Sequence, residues 1–265
     1  HRLRQIDAAQ PHPAFLRRQR RQCELFHKPF TLEFSKKIVR AKIHNQIVVL
    51  DRYGRSRQMN VQEATQNMKI LERKVFTCTS IDQIMGYEGA AARYYFSTLG
   101  RLVESDFRFE KRSRRPPKDA FNSMLSLGYS MLMNEIYGKL ENRGLNPYFG
   151  FMHQDREKHP TLASDLMEEW RAVIVDAVVM NLINGHEIKI EQFSYDTYGN
   201  GVFLNRDAMK IFINKIEKRM GTDNSYLKHI EYRVSFRRSL ELQIDSLIHA
   251  MQEEDMDLYQ PVRIR

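Results

Sequence analysis

The sequence predicts a mainly α fold, a multi-helix domain with a small β-hairpin insertion, and three observations predict it. Apolar residues recur at three-four spacing in one segment after another, the period of helices that each turn one face to a core. Several of those segments open on capping residues, as Ser80 does with Gln83 three positions on and Asp119 does ahead of AFNSML. Only EIKIEQFSYDTYGNGVFLN alternates with period two, around a Gly199-Asn200-Gly201 turn. A chain of 265 residues holds one large domain or two small ones with a sizeable core, and neither a repeat nor a low-complexity tract divides it.

Taken in order, residues 1–30 are basic and weakly patterned. LRRQRRQCELF suits a short strand or a helix, and Arg17, Arg18, Arg20 and Arg21 read as a phosphate-facing patch or as a solvated surface. From Thr31 a helix follows, with Val39, Ile43, Gln46, Ile47 and Leu50 on one face and Arg52-Tyr-Gly at its expected end. VQEATQNMKILERKVF makes a second helix, roughly residues 61–75. A third opens at Ser80 and keeps Ile81, Ile84, Met85, Ala92, Tyr95, Phe96, Leu99 and Leu102 on one stripe. Glu88 lies on that stripe between Gly86 and Gly89, whose missing side chains would let another element come close. A carboxylate on an inward face must be paired, protonated or bound to a cation. An ion pair with Arg93 or Arg101 is one reading; a metal or catalytic role is the other.

RFEKRSRRPPK then places six basic residues, Arg108, Lys111, Arg112, Arg114, Arg115 and Lys118, in a loop marked by Pro116-Pro117. They are candidate nucleic-acid contacts, against the alternative of a solvated loop. Asp119 caps a helix that ends at Gly144, with Met124, Met131 and Met133 expected as core filler. The stretch GFMHQDREKHPTLASDLMEEWR carries His153 in a polar loop, then Asp165, Glu168 and Glu169 on the first turns of a helix. That helix continues as AVIVDAVVMNLI, apolar nearly all round and therefore buried. Asp165 and Glu168 share a face at three-residue spacing, and carboxylates near a helix N-terminus are also favoured by its dipole. Asp176, two turns beyond Glu168, is expected in a structural hydrogen bond. After the hairpin, NRDAMKIFINKIEKRM restores a helix, and Leu240, Ile244, Leu247, Ile248 and Met251 define a last, clean one.

Composition bounds the chemistry. The 42 Lys and Arg against 33 Asp and Glu give a net charge of +9, and the pI of about 9.5 implies an anionic partner, nucleic acid first and an acidic membrane surface second. Two cysteines, Cys23 and Cys78, make neither a disulfide framework nor a zinc finger and suit a reducing interior. No segment approaches membrane-span length. HRLRQIDAAQ has no apolar signal core, so export is not expected, and without an initiator methionine the chain is expected to be a piece of something longer. There is no P-loop, no Gly-x-Ser-x-Gly and no Cys–His nucleophile pair, and GYEGAAA sits inside a helical pattern rather than in a dinucleotide fingerprint. What remains is a dispersed set, Glu88, His153 and Glu168. If they meet, two carboxylates and one imidazole suit Mg²⁺ or Mn²⁺, and on a basic protein such an ion would act on phosphodiesters.

KKIVRAKIHNQIVVLDR, MGYEGAAARYYF, RRPPKDAFNSMLSLGYSML, NPYFGFMH and LASDLMEEWR, in that order, resemble the integrase-nuclease family of CRISPR adaptation, the universal "Cas one" family. The resemblance runs along most of the chain. It implies a helical catalytic domain over residues 31–265 with Glu88, His153 and Glu168 as catalytic metal ligands for Mg²⁺ or Mn²⁺, and Asp165 as an accessory carboxylate. It implies direct transesterification, the 3′-hydroxyl ends of a spacer DNA duplex attacking a CRISPR repeat, and metal-dependent cleavage of branched or free DNA. It also implies a homodimer, a small ferredoxin-like partner (the second universal CRISPR-associated protein), in some relatives a fused or associated reverse transcriptase, and a prokaryotic cytoplasmic location with no membrane.

The family usually begins with a β-rich domain, so residues 1–30 are expected as a basic linker or a remnant of it. Ala172 follows Arg171 where the family commonly has proline. A non-catalytic nucleic-acid-binding or scaffold subunit, with Glu88 in a structural ion pair, is the alternative.

Overall fold

The computed structural model describes residues 13–154, 157–196 and 200–265. Its helices are α1 (Pro13–Phe26), α2 (Pro29–Ser56), α3 (Gln62–Phe76), α4 (Ile81–Leu99), α5 (Ala120–Asn142), α6 (Thr161–Met167), α7 (Ala177–Asn184), α8 (Arg206–Met220) and α9 (Phe236–Glu253). A π-helical turn, Ala172–Asp176, joins α6 to α7. Two antiparallel hairpins complete it: β1 (Phe193–Tyr195) with β2 (Val202–Leu204), in the register Phe193↔Leu204, and β3 (Asp223–Asn224) with β4 (Val234–Ser235). Among the described residues no helix is long and apolar enough to cross a membrane.

The mainly α architecture follows from the apolar stripes. The stripe read on α2 is buried at Val39, Ile43, Gln46, Ile47 and Leu50, and α3 and α4 pack against it. The helix runs past the expected stop at Arg52-Tyr-Gly, because Tyr53 is buried and its hydroxyl donates to Asn181 Oδ1 at 2.8 Å. At the start of α4, Ser80 accepts from the Gln83 N–H, but Gln83 Oε1 takes the N–H of Thr79, so the reciprocal arm lies one residue earlier than predicted. Asp119 caps α5 by accepting from Asn122 N at 2.7 Å. Beyond the end of α5, Gly144 holds φ +69°, the left-handed region that favours glycine, with Phe15 pressed where a Cβ would stand.

Three expectations need correction. Residues 13–26 take the helical one of the two readings open for them and are not a linker: α1 packs on α9 and α2, its Leu25 and Gln22 are buried, and Arg18 and Arg21 donate to the carbonyls of Arg143 and Met251. Two of the four arginines read as a patch are therefore spent on packing, which leaves Arg17 and Arg20 exposed; residues 1–12 lie outside the described residues. Second, the all-apolar helix is not continuous. Glu168–Trp170 close on three-residue hydrogen bonds, Glu168 N to Asp165 O and Trp170 N to Met167 O, before the π-turn. Such irregular turns re-aim side chains inside an otherwise buried rod and concentrate at functional sites. Third, the β3–β4 pair has no counterpart in the sequence pattern, since two-residue strands leave no periodicity to read.

The first hairpin does form where predicted, although Gly199 of its turn lies outside the described residues. It is not a free appendage. Val202 N donates to Pro117 O at 2.9 Å and Lys118 Nζ donates to Asn200 O at 2.7 Å, which seats it on the loop before α5.

Candidate functional site

Four stretches distant in sequence converge on one largely buried charged cluster. Lys42 sits on the buried face of α2, one helical turn from Val39 and from Gln46. Glu88 projects from the middle of α4. His153 lies in the loop before α6, and Glu168 immediately follows α6. The Lys42 ammonium bridges the two carboxylates: it is hydrogen-bonded to Glu88 Oε1 and lies 2.5 Å from Glu168 Oε2. His153 Nε2 faces Glu168 Oε1 at 3.9 Å, and Arg171 reaches the same oxygen at 3.1 Å.

Glu88 is thus an ion-paired carboxylate, but its partner is Lys42 and not Arg93 or Arg101. Nor do Gly86 and Gly89 admit another element, for a Cβ at either would meet nothing within 4 Å. They border open space on other faces of α4.

His153 is oriented by Asp165. The carboxylate is fully buried at 0% exposure and accepts from the backbone N–H groups of Phe151, Met152 and His153 at 2.7, 3.0 and 3.1 Å. Its Oδ1 also faces His153 Nδ1 at 2.6 Å. A carboxylate collecting N–H donors accepts only, so the ring proton belongs on Nδ1 and Nε2 is left toward Glu168. Gly150 makes this wrap possible, since a Cβ there would stand 2.8 Å from Asp165 Oδ2. Asp165 belongs to the middle of α6 and not to its first turn, so these N–H donors, not the helix dipole, hold its charge. Burial works against a charged His153 ring, but the hydrogen bond and charge of Asp165, with the charge of Glu168, outweigh it and raise the imidazole pKa.

Glu168 is 3% exposed. Burial alone would raise its pKa, yet Arg171, Lys42 and His153 reverse that and hold the carboxyl down at about 2. Its Oε2 is buried and has the Lys42 ammonium as its charge partner at 2.5 Å. Among the described residues, no three acidic, histidine or cysteine side chains are gathered tightly enough to grip a metal as they stand. Lys42 occupies the space between two of them. The donor set itself, two carboxylates that already share one cation and an imidazole nitrogen facing one of them, fits a divalent ion in its chemistry.

Lys42 and Arg171 were not among the candidate residues read from the sequence. The signal for Lys42 was present: a lysine within the apolar stripe Val39, Ile43, Gln46 cannot be buried without an acidic partner. Asp176 does make the structural bonds expected of it, accepting from the hydroxyls of Tyr95 at 2.7 Å and Tyr129 at 2.6 Å.

The basic loop divides. Arg108, Lys111, Arg114, Arg115 and Lys118 are exposed. Arg112 is turned inward, donating to Asn122 Oδ1 at 2.8 Å and Ser126 Oγ at 3.1 Å, so its guanidinium is not offered to a phosphate. It lies 5.4 Å from the Tyr129 ring centre, and Arg171 lies 4.7 Å from the same centre, so this ring links the loop to the partner of Glu168.

Comparison with known proteins adds a second line. The family model described as CRISPR associated protein Cas1 matches residues 8–218. A CRISPR-associated endonuclease Cas1 of Mycobacterium tuberculosis is 39% identical over 243 residues, covering 91% of this chain and 71% of that protein. One of Leptospira interrogans is 38% identical over 202 residues, covering 72% of this chain and 77% of that protein. Among solved structures, a chain of a Cas6-RT-Cas1–Cas2 complex superposes with a TM-score of 0.86 at 28% identity, over 97% of this chain; this chain spans 28% of that one.

Proposed function

The chain belongs to the CRISPR-associated protein Cas1 family, and on that premise we propose that it is a metal-dependent DNA integrase-endonuclease that joins the 3′-hydroxyl ends of spacer DNA into a CRISPR repeat. The observation that supports this reading is that Glu88 and Glu168, from separate stretches, share the buried Lys42 ammonium while His153 faces Glu168 at 3.9 Å.

Glu88, His153 and Glu168 would hold Mg²⁺ or Mn²⁺, which when bound supplies polarisation of a phosphodiester oxygen. Asp165 fixes the His153 ring so that Nε2 points inward. Arg171 keeps Glu168 ionised in a buried place. The exposed Arg108, Lys111, Arg114, Arg115 and Lys118 would neutralise backbone phosphates and bring the duplex to the cluster. In the joining step, the attacking 3′-oxygen forms a new P–O bond as the bond to the repeat strand's own 3′-oxygen breaks, so the number of phosphodiesters is unchanged and no nucleophilic side chain is needed. Residues 31–265 are the proposed catalytic domain, with α1 packed onto it. A Cas2-type partner and an associated reverse transcriptase are proposed from the likeness to the Cas6-RT-Cas1–Cas2 complex, and a second copy of the chain from the family resemblance.

Strand transfer of a 3′-hydroxyl duplex into a supercoiled plasmid bearing the repeat tests the reading, using the full-length protein with its small partner in Mn²⁺, Mg²⁺ or chelator. Joining that needs metal and is lost in His153→Ala and Glu168→Ala is the expected result. Normal joining by both variants, or DNA binding without any joining by the wild type, would leave a binding or scaffold subunit in which Lys42 and Glu88 form a structural pair.

A further inference from the structure

The proposed reaction gives Lys42 no role. Its side chain is 6% exposed, and its ammonium contacts the same two carboxylates that would hold the divalent ion. We propose that Lys42 is a resident counter-ion that competes with the metal for Glu88 and Glu168, so that metal entry requires the ammonium to withdraw toward the Glu88 side of the cluster. The proposal rests on the metal-site reading above.

Three observations carry it. The first is occupancy. One ammonium lies against an oxygen of each carboxylate, and a dication placed on those oxygens would stand within a few ångströms of it, where like charges repel strongly in a poorly solvated site. The second is the contrast with Arg171. Arg171 takes the other oxygen of Glu168, and its guanidinium also lies over the Tyr129 ring, so it is held in place whatever happens at Oε2. Lys42 carries its charge on a flexible four-carbon stem and makes no such second contact, which is the property a displaceable cation needs. The third is the shape of the bridge. Its Glu168 end is dry, with that side chain 3% exposed, whereas Glu88 is 18% exposed. The ammonium has a wet side to move to.

In the ion-free protein, Lys42 keeps two converging carboxylates from repelling one another. The same charge raises the metal concentration needed to load the site. A lysine that merely props the ligands in place would do the opposite: its removal would weaken metal binding.

The test is a direct Mn²⁺ titration of the full-length protein, reading free Mn²⁺ by electron paramagnetic resonance, for wild type, Lys42→Gln, Lys42→Met and Glu168→Gln. The expected result is Mn²⁺ binding at least ~10-fold tighter in Lys42→Gln and Lys42→Met than in wild type, together with a lower melting temperature in chelator. Equal or weaker binding in the two Lys42 variants overturns the proposal. If wild type and Glu168→Gln bind Mn²⁺ alike, the metal-site reading itself fails.

A second measurement needs no Lys42 variant. Acetylation of lysines in the wild type, followed by mass spectrometry, should show Lys42 protected in chelator and at least several-fold more reactive as Mg²⁺ is added, with no such rise in Glu168→Gln. Unchanged or greater protection on adding Mg²⁺ also overturns the proposal.

Discussion

Glu168 and Glu169 are neighbours in the chain, and both are almost completely buried, at 3% and 0% exposure. They leave the helix in different directions and meet different company. Glu168 faces Lys42, Arg171 and His153, and its carboxyl stays ionised down to about 2. Glu169 faces the C-terminal segment, where Tyr259 Oη and Val262 N each donate to it at 2.7 Å. Burial pushes its pKa up to about 7 against those hydrogen bonds. Asn45 fastens the same region, donating to Glu169 O at 2.8 Å and Val262 O at 3.0 Å and accepting from Ile264 N at 3.0 Å. Burial acts alike on both carboxyls, so the difference comes from their partners. Full positive charges outweigh desolvation, whereas neutral donors only moderate it. One face of the chain here holds a buried charge, and the other locks a returning segment.

The largest effect should come from the charged face. Glu168→Gln should lower metal-dependent joining on the order of 10³-fold or more, with circular dichroism near wild type but a lower melting temperature, because Lys42 and Arg171 lose their buried counter-charge. Glu169→Gln should leave most joining intact, and an equal loss in both would dissolve the contrast.

The next effects belong to stability. Glu169→Ala leaves the Tyr259 hydroxyl and the Val262 N–H without an acceptor in a buried place, and should cost about 2–4 kcal/mol in urea unfolding. The pH dependence sharpens the same point. The folded pKa of Glu169 lies above its ordinary value of 4.5, so its favourable contribution is full below about pH 4.5 and is lost as pH rises toward 7. For Glu168 the folded pKa is lowered instead, so its contribution is present above about pH 4.5 and is lost only as pH falls toward 2. Between pH 4.5 and 8, wild type should therefore lose up to ~3 kcal/mol that Glu169→Gln does not lose, read from urea midpoints of both proteins.

A smaller change is expected at Asp165. Asp165→Asn keeps an acceptor for His153 Nδ1 but loses the charge collecting three backbone N–H groups, and should reduce joining and Mn²⁺ affinity by roughly 10–100-fold. The smallest effects concern the loop. Arg114→Ala and Arg115→Ala should each weaken DNA binding a few-fold and lower the salt slope by about 0.9. Arg112→Ala should leave that slope unchanged and lower the melting temperature instead, because its guanidinium bonds inward to Asn122 and Ser126.

Much of the fold is legible in the amino-acid sequence. Three-four periodicity locates the long helices, since one face of each must find a core: the stripe from Leu240 to Met251 is buried at every position read. Capping chemistry is local, so Asp119 and Ser80 mark true helix starts. The candidate set Glu88, His153 and Glu168 is legible through ordered motifs and not through spacing, which leaves 65-residue and 15-residue gaps without geometric meaning.

By itself, then, the sequence determined most of the long helices and where the charge sits, and it named candidate side chains for a cation. Tertiary structure alone decided who meets whom. It set Lys42 between the two carboxylates, turned Arg112 away from solvent, and packed α1 onto the body where a linker was expected. It also broke the helix after α6 so that Glu168 and Glu169 serve opposite sides. The physical reason is one of range. Periodicity and capping act over a few residues, whereas ion pairing in a buried site depends on which distant helix arrives with a compensating charge, and no local pattern encodes that.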